Sequence, residues 1–229
     1  KWHVIPIQKL TKYCDFNPYY TAAEKLYNVH GLKGDDPIEP AMDEDYPHPP
    51  VSHEPRMLEI VDGLRRQGLQ PFHLPMGIRL NEANLELSEC IRCNTCDGYT
   101  CLVQAKADAE MNAVRPAQHY PNVTLLTQAK VVCLHTSPSG REVTGVEAEI
   151  EGQSQIFTSD IVVVACGAIN SAVLLLRSAN EQYPNGLANG SDQVGRNFMK
   201  HLATAILAIS TQPNPAVYQK TIALNDFYW

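Results

Sequence analysis

The chain has 229 residues, of which 44% are hydrophobic and 19% charged, as is ordinary for a soluble globular protein. Its formal net charge of −7 argues against nucleic acid as the main partner, and no apolar run is long enough to span a bilayer. The sequence starts at Lys1 without an apolar signal segment or a Met, which is compatible with a start inside a longer protein. The odd number of seven cysteines favours a reducing compartment, so we expect a cytoplasmic location.

The first third of the chain predicts two helices separated by a long connector. Asn17 is expected to cap the first helix, with Pro18 at its first position and an end near Gly31. Residues 33–55 are rich in proline and acid, which leaves a disordered loop and an extended, packed connector as open alternatives. The apolar spacing predicts the second helix over residues 56–67.

The middle of the chain predicts an antiparallel β-meander. Residues 71–89 look irregular, and a helix is expected from Gln104 to Val114. Alternating apolar and polar residues then predict a series of strands at 122–126, 129–135, 143–151 and 153–158.

The stretch from Asp160 to Asn180 predicts a strand, a tight turn and a helix. Residues 161–164 form an apolar, β-branched run that is typical of a strand covered on both faces. The four small residues that follow, 165–168, would let a ligand come close. The helix would present one apolar face, made of Ile169, Val173 and Leu176. An ordinary buried strand–turn–helix unit without a ligand is the alternative interpretation.

The sequence contains none of the common catalytic motifs. The closest approach to G-x-G-x-x-G is Gly31-Leu-Lys-Gly34, in a loop, and there is no G-x-S-x-G, H-E-x-x-H or P-loop. We interpret the acidic residues and histidines of the polar loops as solvated groups rather than a site; they are Asp35, Asp36, Asp43, Glu44, Asp45, His30, His48 and His53.

Four cysteines lie close together in the sequence. Cys90, Cys93, Cys96 and Cys101 form C-x2-C-x2-C-x4-C, and clustered thiolates could hold zinc or an iron–sulfur cluster. The last spacing differs from the bacterial ferredoxin pattern, and zinc usually draws on two separated pairs. Structural or redox thiols therefore remain the alternative to a metal site.

Several stretches, in order along the chain, resemble the glucose–methanol–choline (GMC) flavoprotein oxidoreductases. VVVACGAINSAVLLLRSAN resembles the family's strand–turn–helix beside the flavin, and Val194–His201 is similar to its V-G-x-N/R-x-x-x-H segment. Further resemblances lie at Phe16-Asn-Pro-Tyr-Tyr20 with Ala23-Glu24, at Ala105-Lys106, at Asn122–Val131 and at Pro184–Asn189.

The resemblance implies an FAD enzyme that oxidises an alcohol carbon of a small, alcohol- or sugar-like molecule by hydride transfer to flavin N5. It implies that the backbone at Val131 contacts the adenine side of FAD, and that Ala165, Cys166 and Gly167 lie near the adenosine and pyrophosphate. Small residues beside a helix N-terminus suit a phosphate group, which agrees with this placement.

The resemblance also implies that the chain is a central fragment. The family's G-x-G-x-x-G unit would lie upstream of Lys1, and its catalytic histidine would lie beyond Trp229, so we expect no catalytic residue within the chain. The isolated chain should be inactive and bind FAD weakly. A metal-binding electron-transfer or structural module, built on the four cysteines, is the alternative function.

The expected fold class is α/β with α+β-like character: an incomplete FAD-binding Rossmann-type domain with an antiparallel meander and part of a substrate domain. Residues 1–89 would form a helical and loop segment on the substrate side. Residues 90–201 would belong to the FAD-binding domain, and residues 202–229 would begin the substrate-binding domain.

Overall fold

A computed structural model describes residues 13–41, 44–96, 98–206 and 208–228. These residues divide into two compact units, each with a hydrophobic core of its own. The meander unit comprises residues 125–206, and the cysteine unit comprises residues 13–41, 44–96, 98–124 and 208–228. Within these ranges, no helix is both long enough and apolar enough to cross a membrane.

The secondary structure mixes helices with short antiparallel strands. The helices are α1 (Tyr13–Leu26), α2 (Pro55–Arg66), α3 (Arg115–Ala117) and α4 (Gly167–Arg177), with a 3-10 turn at Leu85–Leu87 and a π-helical turn at Glu110–Val114. The strands are β1 (Val29–His30), β2 (Phe72–His73), β3 (Met76–Gly77), β4 (Ala129–Thr136), β5 (Val143–Ile150), β6 (Gln153–Phe157) and β7 (Ile222–Ala223).

The predicted meander is confirmed in the meander unit. Strands β4, β5 and β6 pair antiparallel in sequence order, with ends within one or two residues of the predicted ones. Residues 122–126 form no strand, so that prediction is wrong. They carry no pairing partner of their own, and apolar residues alone do not make a strand.

Helix α4 packs on strand β4, but not with the face that its sequence predicted. Leu174 is buried with Leu134 and Leu187, and Ser178 accepts a hydrogen bond from the Leu134 N–H at 2.9 Å. This bond just beyond the helix end fixes which side of α4 meets the sheet. The predicted face is partly solvent-exposed, at 59% for Ile169, 36% for Val173 and 39% for Leu176.

Residues 161–164 are extended but form no strand, and the predicted burial on both faces is wrong. Val162 and Val164 pack against the core of the meander unit, whereas Ile161 and Val163 are 78% and 79% exposed. A strand needs a hydrogen-bonded neighbour, and no strand of the described ranges pairs with this segment. The predicted strand is therefore replaced by an extended segment with one covered side.

Helix α1 of the cysteine unit begins earlier than its capping signal predicted. It starts at Tyr13, so Asn17 lies inside the helix, 4% exposed, and Pro18 is an interior residue. Tyr13 stacks on Tyr20 with ring centroids 5.3 Å apart, and this contact across two turns favours the longer helix. Pro18 costs the helix one backbone hydrogen bond near its start, which tertiary packing offsets.

Helix α2 is confirmed, with Met57 and Val61 buried on its inner face. The connector before it is extended and packed over residues 44–55, because His48 pairs with His30 and Val51 is 1% exposed. Of the two alternatives for this connector, the structure therefore has the packed one. Residues 42–43 lie outside the described ranges.

The helix predicted from Gln104 to Val114 is largely wrong. Gln104 has a φ of +56°, and helical structure starts only at the π-helical turn 110–114. The preceding backbone is used in another pairing, because the Ala107 N–H bonds to the Gly77 carbonyl and the Arg79 N–H to the Ala105 carbonyl. A backbone group in a sheet-like bridge cannot also take part in a helical turn.

Candidate functional site

The turn at Ala165, Cys166 and Gly167 leads directly into helix α4 and is open to solvent. Gly167 has a φ of +79°, a left-handed conformation that glycine adopts at little cost. A Cβ added at Gly167 would meet nothing within 4 Å. The glycine is thus required by the backbone turn, and the space beside it is large enough for a bound group.

The start of α4 offers polar backbone groups at this turn. The Cys166 N–H donates to Ser171 Oγ at 3.1 Å, which closes the turn onto the helix. No side chain caps α4 from the Cys166 position within the described ranges. Free N–H groups of a helix's first turn attract anionic oxygens, so the uncapped start of α4 suits an anionic group such as a phosphate.

Val131 lies on strand β4 of the same unit. It pairs with Ala148 and is 37% exposed. The ladder slips between Val131 and Cys133, so a β-bulge directly follows Val131. Bulges interrupt the regular hydrogen bonding of a strand, so the ladder becomes irregular directly after Val131.

The four clustered cysteines surround one cavity in the cysteine unit. The cavity measures about 170 Å³ and is lined by all four thiols, with Lys106 and Tyr218 among its other walls. All four are free thiols. Within the described ranges, no three of them bring their sulfur atoms within 4.8 Å of one another, so they do not form a ready mononuclear zinc site.

The environments of these thiols differ. Hydrogen bonds from Thr95 hold the pKa of Cys93 below its ordinary value. Burial raises the pKa of Cys90. Burial also opposes ionisation of Cys101, but backbone hydrogen bonds, led by that from Ala105, outweigh it and lower its pKa. Cys93 and Cys101 are therefore converted to nucleophilic thiolates more readily than Cys90.

Tyr218 is the residue of this cavity that the sequence gave no reason to single out. It is 1% exposed, and its hydroxyl lies 3.7 Å from Cys96 Sγ and 3.5 Å from Met76 Sδ. Glu54 holds the segment in place by accepting the N–H groups of Val217 and Tyr218, each at 2.8 Å. More than a hundred residues separate Tyr218 from the cysteines, so no local pattern could have indicated the contact.

The prediction that the loop histidines and acidic residues are solvated is wrong for some of them. His53 Nδ1 lies 2.9 Å from Thr221 Oγ1, and its ring stacks on His73 at 4.2 Å between centroids. His73 in turn bonds to Asp35 through Nδ1 at 2.7 Å. Burial, reinforced by the charge of His73, lowers the pKa of His53. His30 is also buried, at 4% exposure. These contacts link distant segments of the cysteine unit.

The other acidic residues of that prediction differ in their contacts. Asp36 Oδ2 accepts a hydrogen bond from Asn225 Nδ2 at 2.8 Å, and Glu44 forms an exposed ion pair with Lys25. Asp43 lies outside the described ranges. None of these acidic groups gathers into a metal site within the part of the chain that the structure describes.

Comparison with known proteins identifies the family. The GMC oxidoreductase profile matches residues 65–203, which is more than half of the chain. Paromamine 6'-oxidase from Streptomyces fradiae is 30% identical over 222 residues, which cover 92% of this chain and 39% of the relative. The 6'''-hydroxyparomomycin C oxidase from Streptomyces lividus is 30% identical over 205 residues, 89% of this chain and 37% of the relative.

A third relative carries the cofactor in its name. The gluconate 2-dehydrogenase flavoprotein from Pantoea cypripedii is 23% identical over 237 residues, 94% of this chain and 38% of the relative. The chain thus spans about 39% of the length of the relatives it matches. These comparisons give no support to the alternative metal-binding module. The chain belongs to the GMC oxidoreductase family, whose N-terminal domain binds FAD.

Proposed function

We propose that this chain forms part of an FAD-dependent oxidoreductase that oxidises a CH–OH group of a small alcohol or sugar-like molecule. The observation that carries this proposal is that the family match spans both β4 and the open turn before α4. Two relatives that cover most of the chain are named as oxidases and a third as a dehydrogenase, which supports this type of reaction.

The contribution of this chain is one wall of the flavin site. When bound, FAD supplies the redox chemistry by accepting a hydride from the alcohol carbon at flavin N5. Ala165, Cys166 and Gly167 would hold the adenosine and pyrophosphate, since the space beside Gly167 is open and the N–H groups of a helix's first turn suit a phosphate. The backbone at Val131 would contact the adenine side.

The proposal assigns the chain to the domains that its resemblance to the GMC family implies. Residues 1–89 lie on the substrate side, residues 90–201 belong to the FAD-binding domain, and residues 202–229 begin the substrate-binding domain. The G-x-G-x-x-G unit and the catalytic histidine are expected in parts of the enzyme outside this sequence. No residue of the chain is assigned a catalytic role.

The proposal extends to compartment and partner. The odd number of seven cysteines supports a reducing compartment such as the cytoplasm. The net charge of −7 supports a small-molecule substrate rather than nucleic acid.

Titration of the purified chain with FAD, followed by isothermal calorimetry, tests the incomplete flavin wall. We expect weak binding, because one wall supplies only part of the contacts that hold the cofactor. Tight, stoichiometric FAD in the isolated chain would contradict the proposal.

A visible spectrum and an iron analysis of the enzyme that contains this chain separate the two functions. Flavin bands without iron support the oxidoreductase. Stoichiometric iron at the four cysteines without flavin would instead support the electron-transfer module, and serine substitutions at Cys90 and Cys96 would then remove the iron.

A further inference from the structure

Three possible metal ligands meet on one face of the β-meander. They are Cys133 and His135 of β4 and Glu147 of β5, and their donor atoms all lie within 4.8 Å of one another. Cys133 and His135 are two residues apart, so they point to the same face of the sheet. Leu134, between them, points to the opposite face and is buried in the core.

The β-bulge in β4 creates this arrangement. Val131 pairs with Ala148, and an unbroken ladder from that pair would set Cys133 opposite Val146. The register slips by one residue after Val131, so Cys133 faces Glu147 instead. Because bulges reorient side chains and recur beside functional sites, this slip is a structural device rather than an irregularity.

The carboxylate of Glu147 is held in place from both sides. Its Oε2 lies 3.0 Å from His135 Nε2, and its Oε1 accepts a hydrogen bond from Ser154 Oγ at 2.6 Å. These two contacts fix the orientation of the carboxylate. A second group that orients a ligand in this way is typical of metal sites.

The site is open enough for an ion to enter. The His135 side chain is 43% exposed and that of Glu147 is 28% exposed. Cys133 is half-buried and has a free thiol. A thiolate, an imidazole and a carboxylate together suit zinc, whereas calcium and magnesium take oxygen ligands.

We propose that Cys133, His135 and Glu147 bind one Zn²⁺ ion on the outer face of β4 and β5. The neutral His135 ring binds zinc through Nε2, with its one proton moved to Nδ1, and the Cys133 thiol releases its proton to solvent on binding. Three protein ligands leave the fourth position of a tetrahedral ion to water. The bound ion cross-links the two strands. This inference is independent of the proposed flavin chemistry.

Zinc titration of the metal-free chain by calorimetry tests the site. We expect Cys133→Ser and Glu147→Gln each to remove one equivalent of bound zinc, whereas Cys14→Ser, at an exposed thiol, keeps it. Ser154→Ala should weaken binding by about tenfold, because it frees the carboxylate without removing a ligand. Zinc affinity should rise with pH, because zinc displaces the proton of the Cys133 thiol.

Cobalt substitution identifies the ligands even where a variant is unstable. A Co²⁺-loaded chain should show a thiolate-to-cobalt absorption band. Cys133→Ser should remove the intensity that one cobalt–thiolate bond contributes, whereas Cys14→Ser should leave the band unchanged. Circular dichroism checks that each variant is folded. The proposal would be overturned if Cys133→Ser and Glu147→Gln had the same zinc stoichiometry and the same cobalt band as the unsubstituted chain.

Discussion

The apolar side chains of segment 161–164 are less completely buried than those around Tyr218. Val162 and Val164 pack on the core of the meander unit, while Ile161 and Val163 are 78% and 79% exposed. Tyr218 in the cysteine unit is 1% exposed and packs with segments distant in sequence. Apolar composition alone therefore does not determine burial; the availability of partner segments does.

The largest expected change in the free energy of unfolding concerns the buried core around Tyr218. Tyr218→Ala should lower the free energy of unfolding by about 3–5 kcal/mol, because it leaves a cavity in the core of the cysteine unit. Tyr19→Ala, at a side chain that is 73% exposed, should change it by less than about 0.5 kcal/mol. Urea unfolding measures both, and equal losses would show that the Tyr218 core is not closed in solution.

Two neighbouring valines test whether segment 161–164 is buried on one side only. Val162→Ala should cost about 1–2 kcal/mol, since it removes two methyl groups that pack on the core. Val163→Ala, at a side chain that is 79% exposed, should cost less than about 0.5 kcal/mol. If the two variants unfold at the same urea concentration, the segment is not covered on one side only.

The smallest effect concerns a buried histidine of the cysteine unit. Burial, with a contribution from His48, lowers the pKa of His30 from its ordinary value of 6.5, although a hydrogen bond to Pro49 opposes it. The unfolded chain therefore binds this proton at higher pH than the folded chain. Stability should be constant above about pH 6.5 and should fall as pH decreases through the lowered folded value.

His30→Asn tests this pH dependence. The amide keeps a donor for the Pro49 carbonyl, which His30 Nδ1 approaches at 2.8 Å, but it does not titrate. We expect the loss of stability below about pH 6.5 to be smaller in the variant. An identical pH dependence in the variant would assign the loss to other groups.

Features that depend on neighbouring residues could be predicted from the sequence. Helix α2 and the meander follow from apolar spacing and turn residues, and the structure confirms them. The position of Gly167 at the start of α4 also follows from small residues before a helical segment.

Features that depend on distant residues could not be predicted. The strand at 161–164 needed a pairing partner, and the helix from Gln104 was lost to a bridge with residues 77–79. The contact of His53 with Thr221 joins residues far apart in the sequence.

The zinc ligands are an intermediate case. The i, i+2 spacing of Cys133 and His135 on a predicted strand is visible in the sequence. The bulge that brings Glu147 opposite Cys133 is not, because it changes the register by one residue. Only the paired strands reveal the third ligand.

Retention of FAD by the full-length enzyme tests the central claim, that the turn before α4 is a wall of the flavin site. Cys166→Trp places a large ring in the open space beside Gly167 and should weaken FAD retention by about tenfold or more, whereas Cys166→Ser, a change of similar size, should not. Flavin content after gel filtration measures both variants. Full flavin content in Cys166→Trp would contradict the assignment of this turn to the cofactor.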